Sequence, residues 1–143
     1  MSDPIIRLID VTKSFDSQTV LDGINLDIQE GRTTVIAGGS GQGKSVTLKL
    51  ILGLLKPDAG QILVEGRDIA TMKHKQLKEI RLNFGVLFQG AALLDSLSVF
   101  DNIALPLRER TRTSEGEIKK RVLRTLEQLG LEGGENKFPA QLS

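Results

Sequence analysis

The stretch Thr33-Thr34-Val35-Ile36-Ala37-Gly38-Gly39-Ser40-Gly41-Gln42-Gly43-Lys44-Ser45-Val46-Thr47-Leu48-Lys49-Leu50-Ile51 decides how this chain is read. Thr33–Ala37 is a short β-branched, apolar run and predicts a strand buried on both faces, as central parallel strands are. Gly38–Ser45 matches G-x-x-x-x-G-K-[ST] in full. The glycines give the backbone conformations closed to other residues and bring N–H groups close to a ligand. The loop opens a helix whose free N–H groups and dipole favour an anion. Lys44 reaches outer phosphates as a point charge, and the Ser45 hydroxyl is a hard oxygen donor of the kind Mg²⁺ takes. Strand, glycine loop and helix in that order are the context the motif requires, so Gly38, Gly39, Ser40, Gly41, Gln42, Gly43, Lys44 and Ser45 are expected to bind a nucleotide's phosphates, with Ser45 on the metal. Past the loop, Val46, Leu50, Gly53 and Leu54 run beside Thr47, Ile51 and Leu55. They predict a helix apolar over most of its surface, buried, and stopped by Pro57-Asp58-Ala59-Gly60.

On the N-terminal side, Ile5–Val11 is β-branched and apolar, with Asp10 read as a strand-end residue. Ile24, Leu26 and Ile28 alternate with Asn25, Asp27 and Gln29 in the period of a half-buried strand. On the C-terminal side, Gln61–Ile69 reads as a strand pair turning near Glu65-Gly66-Arg67, Lys73–Arg81 as a short exposed helix, and Phe84–Phe88 as a second strand buried on both faces. Thereafter the pattern is helical. Ser98-Val99-Phe100-Asp101 and Ser114-Glu115-Gly116-Glu117 are capping boxes. The first opens a helix toward Leu105 that Pro106 disturbs. The second opens a stripe of Ile118, Val122, Leu126 and Leu129 closed by Gly130.

Composition bounds the function classes. The chain has 143 residues, net charge +1, 39% hydrophobic and 26% charged residues, and no cysteine. Near-neutrality gives no strong pull on nucleic acid or anionic lipid, and nucleic acid is not expected as a partner. The absence of cysteine excludes a disulfide scaffold and thiolate metal sites. No run approaches the ~20 apolar residues of a membrane span. Lys73-His74-Lys75 with Lys78 and Arg81, and Lys119-Lys120-Arg121 with Arg124, read as solvated helix faces. His74, the only histidine, has no partner with which to form a metal site or a dyad.

With the loop placed, the chain resembles the nucleotide-binding domain of ATP-binding cassette (ABC) transporters. Gly38–Ser45 has that family's form G-x-S-G-x-G-K-S. Val11-Thr12-Lys13-Ser14-Phe15 resembles the segment whose aromatic residue stacks on adenine, which assigns Phe15 to the base; an ordinary core position is the alternative. Leu21-Asp22-Gly23-Ile24-Asn25-Leu26 and Pro57-Asp58-Ala59-Gly60-Gln61-Ile62 resemble the stretches flanking the loop and its helix. Gln89 stands where the family has a glutamine that touches Mg²⁺ and senses the membrane partner. Phe84–Glu109, with Ala92-Leu93-Leu94-Asp95-Ser96-Leu97, is similar to the branch of Mla/Mce-type lipid transport ATPases. Asp95 beside Ser96 reads as a cap or turn residue. Leu93, Leu94 and Phe100 are either permease-interface residues or core of the helical part.

The resemblance implies an α/β fold: a P-loop NTPase core of the ABC ATPase type with an N-terminal antiparallel β part and a helical part, incomplete at the C-terminus. Residues 1–89 would be the β-rich core with the phosphate loop, and 90–143 the helical part. It implies ATP and Mg²⁺ as cofactors, a second ATP-binding subunit as dimer partner, and a membrane permease contacted near Gln89–Phe100. The expected location is cytoplasmic, peripheral on the inner face of a bacterial plasma membrane. Leu142 and Ser143 would begin the family's L-S-G-G signature. The strand ending in the magnesium-organising Asp, the adjacent catalytic Glu and the switch His have no counterpart in these 143 residues. Hydrolysis needs a placed water and an orienting group besides the phosphate cradle. No catalytic residue is therefore assigned, and the chain is expected to bind ATP and Mg²⁺ without turning ATP over alone. A non-transport ABC protein is disfavoured by the Gln89–Glu109 stretch, and a nucleotide-binding fragment without catalysis is the other reading.

Overall fold

The computed structural model describes residues 3–87 and 93–142. The chain divides into two compact units, Met1–Gly85 and Val86–Ser143. The first carries strands β1 (Ile6–Phe15), β2 (Gln18–Ile28), β3 (Ala59–Val64) and β4 (Arg67–Asp68) with helices α1 (Lys44–Ile51) and α2 (His74–Arg81). The second carries α3 (Val99–Arg110), α4 (Glu115–Gln128) and a single 3-10 turn at Pro139–Gln141.

The four strands form one antiparallel sheet in the order β2-β1-β3-β4. The expected alternation in β2 is present: Ile24, Leu26 and Ile28 are half-buried between exposed Asn25 and Asp27. The expected strand pair 61–69 is present as β3 and β4, joined through Glu65 and Gly66, both at positive φ. Asp10 is not a strand-end residue. It lies inside β1 at an irregularity in the pairing, with φ 47°. Its amide donates to the Asn25 side-chain oxygen at 3.0 Å, and its carboxylate accepts from the Asn25 amide at 2.8 Å. Gly60, at φ 86°, has the backbone carbonyls of Ile9 and Asp10 where a Cβ would sit, so this bulge and Gly60 require each other.

The core of this unit joins one face of the sheet to α1 and α2. Leu8, Val11, Leu50 and Ile62 are all but inaccessible, with Ile51, Val64, Leu77 and Ile80 beside them. Each such side chain contributes about 1.5–3 kcal/mol over an exposed one, which is what holds an eight-residue helix that would be marginal alone.

Four expectations are corrected here. Thr33–Ala37 forms no strand and is exposed except for the half-buried Ile36, with Val35 at 79%. Residues 84–87 of the expected second buried strand also form none, and Leu87 is 93% exposed; Phe88 lies outside the described residues. An apolar run buried on both faces needs strands on both sides, and among the described residues every strand pairing belongs to the antiparallel sheet. Helix α1 is shorter and less enclosed than its sequence predicts. Thr47, Leu50 and Ile51 are buried, but Leu48 and Leu54 are more than half exposed. The helix ends at Leu52 and Gly53, not at Pro57, because Gly53 takes φ 63° and Arg81 caps the end. Arg81 donates to the Leu52 and Gly53 carbonyls at 3.0 and 2.6 Å, so it is a structural cap and not part of a solvated basic face.

In the helical unit both capping serines act as expected. Ser98 Oγ accepts from the Asp101 amide and Ser114 Oγ from that of Glu117. Pro106 does not break α3, which continues to Arg110. Ile118, Val122 and Leu126 pack with Val99 and Ala104, whereas Leu129, past the helix end, is 65% exposed. Asp95 lies in a turn. Asn102 braces the segment before α3: its oxygen accepts from the Leu94 amide at 2.7 Å, and its NH₂ donates to the Leu94, Leu97 and Ser98 carbonyls.

Arg108 ties α3 to α4. It donates from Nε and Nη2 to both Glu115 carboxylate oxygens at 2.9 Å, and from Nη1 to Asp101 at 2.8 Å. These bonds hold the Asp101 and Glu115 carboxyls below their ordinary values. A depressed folded-state pKa adds stability that is complete above the ordinary carboxylate range and is lost as pH falls through the lowered values. Urea unfolding followed by circular dichroism is therefore expected to weaken below about pH 4, and Arg108→Gln is expected to flatten that dependence. Equal acid sensitivity in both proteins would contradict the assignment.

Candidate functional site

The glycine-rich loop is positioned by its last glycine. Gly43 is buried, has φ 79° and is the cap residue of α1. A Cβ there would stand 2.6 Å from Leu21 Cδ2 and 3.2 Å from the Val20 carbonyl oxygen, so β2 presses directly on the loop backbone. By contrast, a Cβ on Gly38 or Gly39 would meet only the Gln42 side chain, which can move. Thr47, read from the sequence only as part of the buried helix surface, fixes the start of α1: its amide and hydroxyl both donate to the Gly43 carbonyl, at 2.8 and 3.0 Å, and it is buried. The signal was available, since Thr47 sits one turn after Gly43, where a hydroxyl can bond back to the i−4 carbonyl.

Lys44 arches over the loop and donates to the Gly38 carbonyl at 2.8 Å and to that of Gly39. The ammonium thus sits at the loop rather than in solvent, where phosphate oxygens could replace the two carbonyls as acceptors. Ser45 is exposed in the first turn of α1, with Ser40 and Gly41 also exposed. For a hard cation the donor set fits through Ser45 Oγ and a ligand's own phosphates. Among the described residues no three His, Asp or Glu side chains converge to hold a metal without them. Gln89, the other expected metal-touching residue, lies outside the described residues.

Phe15 is not a core residue. It ends β1 at the two-residue turn Asp16-Ser17 and is 41% exposed. The β1–β2 hairpin carries it to the loop: Phe15, Val20 and residues 41–46 line one cleft of about 250 Å³. The structure therefore brings the aromatic residue, Lys44 and Ser45 together although 29 positions of sequence separate Phe15 from Lys44. Lys13 Nζ lies 5.4 Å from the centre of the Phe15 ring and 2.7 Å from the Asp58 carboxylate. The Lys13 ammonium and the Ser14 amide hold the Asp58 carboxyl below its ordinary value. A second groove of about 340 Å³ runs from Leu21, Ile24 and Leu26 to residues 35–37, Lys44 and Thr47.

The three residues whose role had two readings separate. Phe100 packs on the helical core, whereas Leu93 and Leu94 are 44% and 48% exposed.

The contrast between glycines gives a direct test of the loop. Gly43→Ala adds a Cβ that collides with Leu21 at a positive φ, and is expected to cost about 2–4 kcal/mol and to displace the loop. Gly41→Ala has the same φ of 79° but open space, so it is expected to cost only about 1–2 kcal/mol. Equilibrium urea denaturation of the two variants checks the order; equal costs would mean that contact with β2 does not hold the loop.

The chain is also similar to known proteins. The family described as ABC transporter matches residues 21–143. The probable ribonucleotide transport ATP-binding protein mkl of Mycobacterium leprae is 47% identical over 138 residues, which are 96% of this chain and 40% of the relative. The intermembrane phospholipid transport system ATP-binding protein MlaF of Haemophilus influenzae is 40% identical over the whole of this chain and 54% of its own length. Among solved structures, the dimeric ATP-binding cassette MJ0796 in a post-hydrolysis state with ADP and Pi superposes with a TM-score of 0.84 at 34% identity, covering 96% of this chain and 63% of that one. The chain thus spans about half the length of the curated relatives it matches. A glycine loop seated on a β-hairpin, an antiparallel β part, a helical unit and these matches lead to one conclusion: the chain belongs to the ABC transporter ATP-binding family, with an α/β fold of the P-loop NTPase type.

Proposed function

We propose that this chain binds ATP with Mg²⁺ as the N-terminal part of the ATP-binding subunit of a transporter that moves phospholipid or another hydrophobic substrate. The cleft that joins Phe15 to Gly41, Gly43, Lys44 and Ser45 carries the reading, because it pairs an aromatic surface with a phosphate-binding loop. Phe15 stacks on the base. The N–H groups of the loop and of the first turn of α1 take the phosphates, with Gly38, Gly39, Ser40 and Gln42 shaping the loop. Lys44 exchanges the Gly38 and Gly39 carbonyls for phosphate oxygens, and Ser45 holds the metal, joined by Gln89. Mg²⁺, when bound, neutralises phosphate charge.

The lipid assignment is supported by the Phe84–Glu109 stretch and by MlaF, which aligns over the whole chain. A second reading, ribonucleotide transport, is favoured by the more identical mycobacterial relative, a probable ribonucleotide transport ATP-binding protein. In either case the subunit pairs with a second ATP-binding subunit and meets a membrane permease near Gln89–Phe100, where Leu93 and Leu94 offer exposed apolar side chains. It works at the cytoplasmic face of a bacterial plasma membrane. No helix among the described residues is long and apolar enough to cross the membrane.

The 143 residues supply a phosphate cradle but no apolar strand ending in Asp-Glu to orient water, so this chain binds ATP without hydrolysing it alone. Titration calorimetry with MgATP is expected to show binding by the wild type that Lys44→Ala removes, and a phosphate-release assay is expected to show no Lys44-dependent turnover. Absence of MgATP binding overturns the nucleotide reading, and robust Lys44-dependent phosphate release overturns the division between binding and hydrolysis. Deleting the gene in its host and comparing membrane phospholipid distribution with ribonucleotide uptake separates the two substrates.

A further inference from the structure

One cluster beside the cleft is not used by the proposed binding roles. Asp58 follows the turn after α1 and is fastened to β1 at three successive residues. Its amide donates to the Thr12 carbonyl at 2.9 Å, and its carboxylate accepts from Lys13 Nζ and from the Ser14 amide, each at 2.7 Å. The next residue of β1 is Phe15. The Lys13 side chain is only 15% exposed, so its ammonium is held between Asp58 and the Phe15 ring, and does not swing freely in water. Lys13 takes no part in lining the cleft, whereas Phe15 does. The cation therefore engages the ring without filling the space beside the loop.

A strand-end aromatic at a two-residue turn has few neighbours to fix its rotamer, and a half-exposed ring that turns freely is a poor stacking surface. A cation over the ring restricts it, and the cation in turn needs a fixed counter-charge. We propose that Asp58, acting through Lys13, is a positioning residue that orients Phe15 toward the base of the bound nucleotide. It governs the part of the affinity that depends on the base and leaves the phosphate-dependent part to the loop. This inference rests on the nucleotide reading of the same site and adds a determinant 13 residues beyond the loop.

The test compares two probes on the full chain: MgATP, and magnesium tripolyphosphate, which has the phosphates and no base. Asp58→Asn keeps an acceptor for the Ser14 amide but removes the charge that fixes Lys13. It is expected to weaken MgATP about 2–5-fold, the range of one exposed cation–π contact, and to leave tripolyphosphate unchanged. Lys13→Met, which leaves Asp58 on Ser14, is expected to give the same selective loss, and Lys13→Arg to restore most of it. In a Phe15→Leu background Asp58→Asn should have no further effect on either probe. Equal weakening of both probes, or no change in either, overturns the proposal while the nucleotide reading stands. A wild type that binds tripolyphosphate as tightly as MgATP overturns it too. A wild type that binds neither probe removes the nucleotide reading itself. If Asp58→Asn fails to fold by circular dichroism, the Lys13 variants decide alone.

Discussion

The close approach of Gly43 to β2 is the constraint on which the site depends. A loop that binds phosphate must present its N–H groups in a fixed array, and such an array of glycines has too much conformational freedom to hold itself. Here the loop is held from outside. The Gly43 backbone lies so close to Leu21 and Val20 that no side chain fits, while Thr47 bonds back to the Gly43 carbonyl from the first turns of α1. The contact that steadies the loop also docks the hairpin. Through the hairpin it sets where Phe15 stands. One steric fact thus couples an aromatic surface to the glycine-rich loop.

The rest of the first unit supports that contact. The sheet registers β2 on β1, and the Asp10 bulge with Asn25 and Gly60 lets β1 pair on one side with β2 and on the other with β3. Behind the loop, Leu50 and Ile51 anchor α1 to Leu8, Val11 and Ile62, and Arg81 closes the far end of that helix by taking its last carbonyls. Two unusual backbone conformations, the bulge at Asp10 and the cap at Gly43, thus lie in the elements that carry the site, β1 and the start of α1. Strain of that kind persists where surrounding packing over-determines it. The core around Leu8 and Leu50 is that packing.

The helical unit is organised differently. Its core is a short stripe of α4 against Val99 and Ala104, and much of its order is polar. Arg108 bridges Asp101 and Glu115, and Asn102 brackets the segment that presents Leu93 and Leu94. Exposed charge pairs of this type contribute little stability individually, but a forked, bidentate pair fixes direction. The four hydrogen bonds of the Asn102 amide fix the backbone on which the exposed Leu94 side chain stands.

The motif Gly38–Ser45, the capping serines, the turn at Glu65-Gly66 and the alternation of β2 were legible in the sequence because each is local. A glycine pattern, a hydroxyl three residues before the amide it caps and a period of two are set by neighbours along the chain. Family membership followed from the same residues and was upheld by the matches. Burial was not legible. Thr33–Ala37 and Phe84–Phe88 have the composition of enclosed strands, yet Val35 and Leu87 stand exposed, since enclosure is supplied by other segments and not by the run itself. The end of α1 went the same way: its apolar pattern continued to Leu55, but Gly53 and the distant Arg81 closed it. Only the tertiary structure decided that Phe15 faces the loop, that Gly43 and not Gly38 is the sterically obligatory glycine, and that Lys13 and Asp58 stand beside the ring. Those facts depend on segments up to 45 residues apart being brought together, and spacing along a chain carries no record of the packing that joins them.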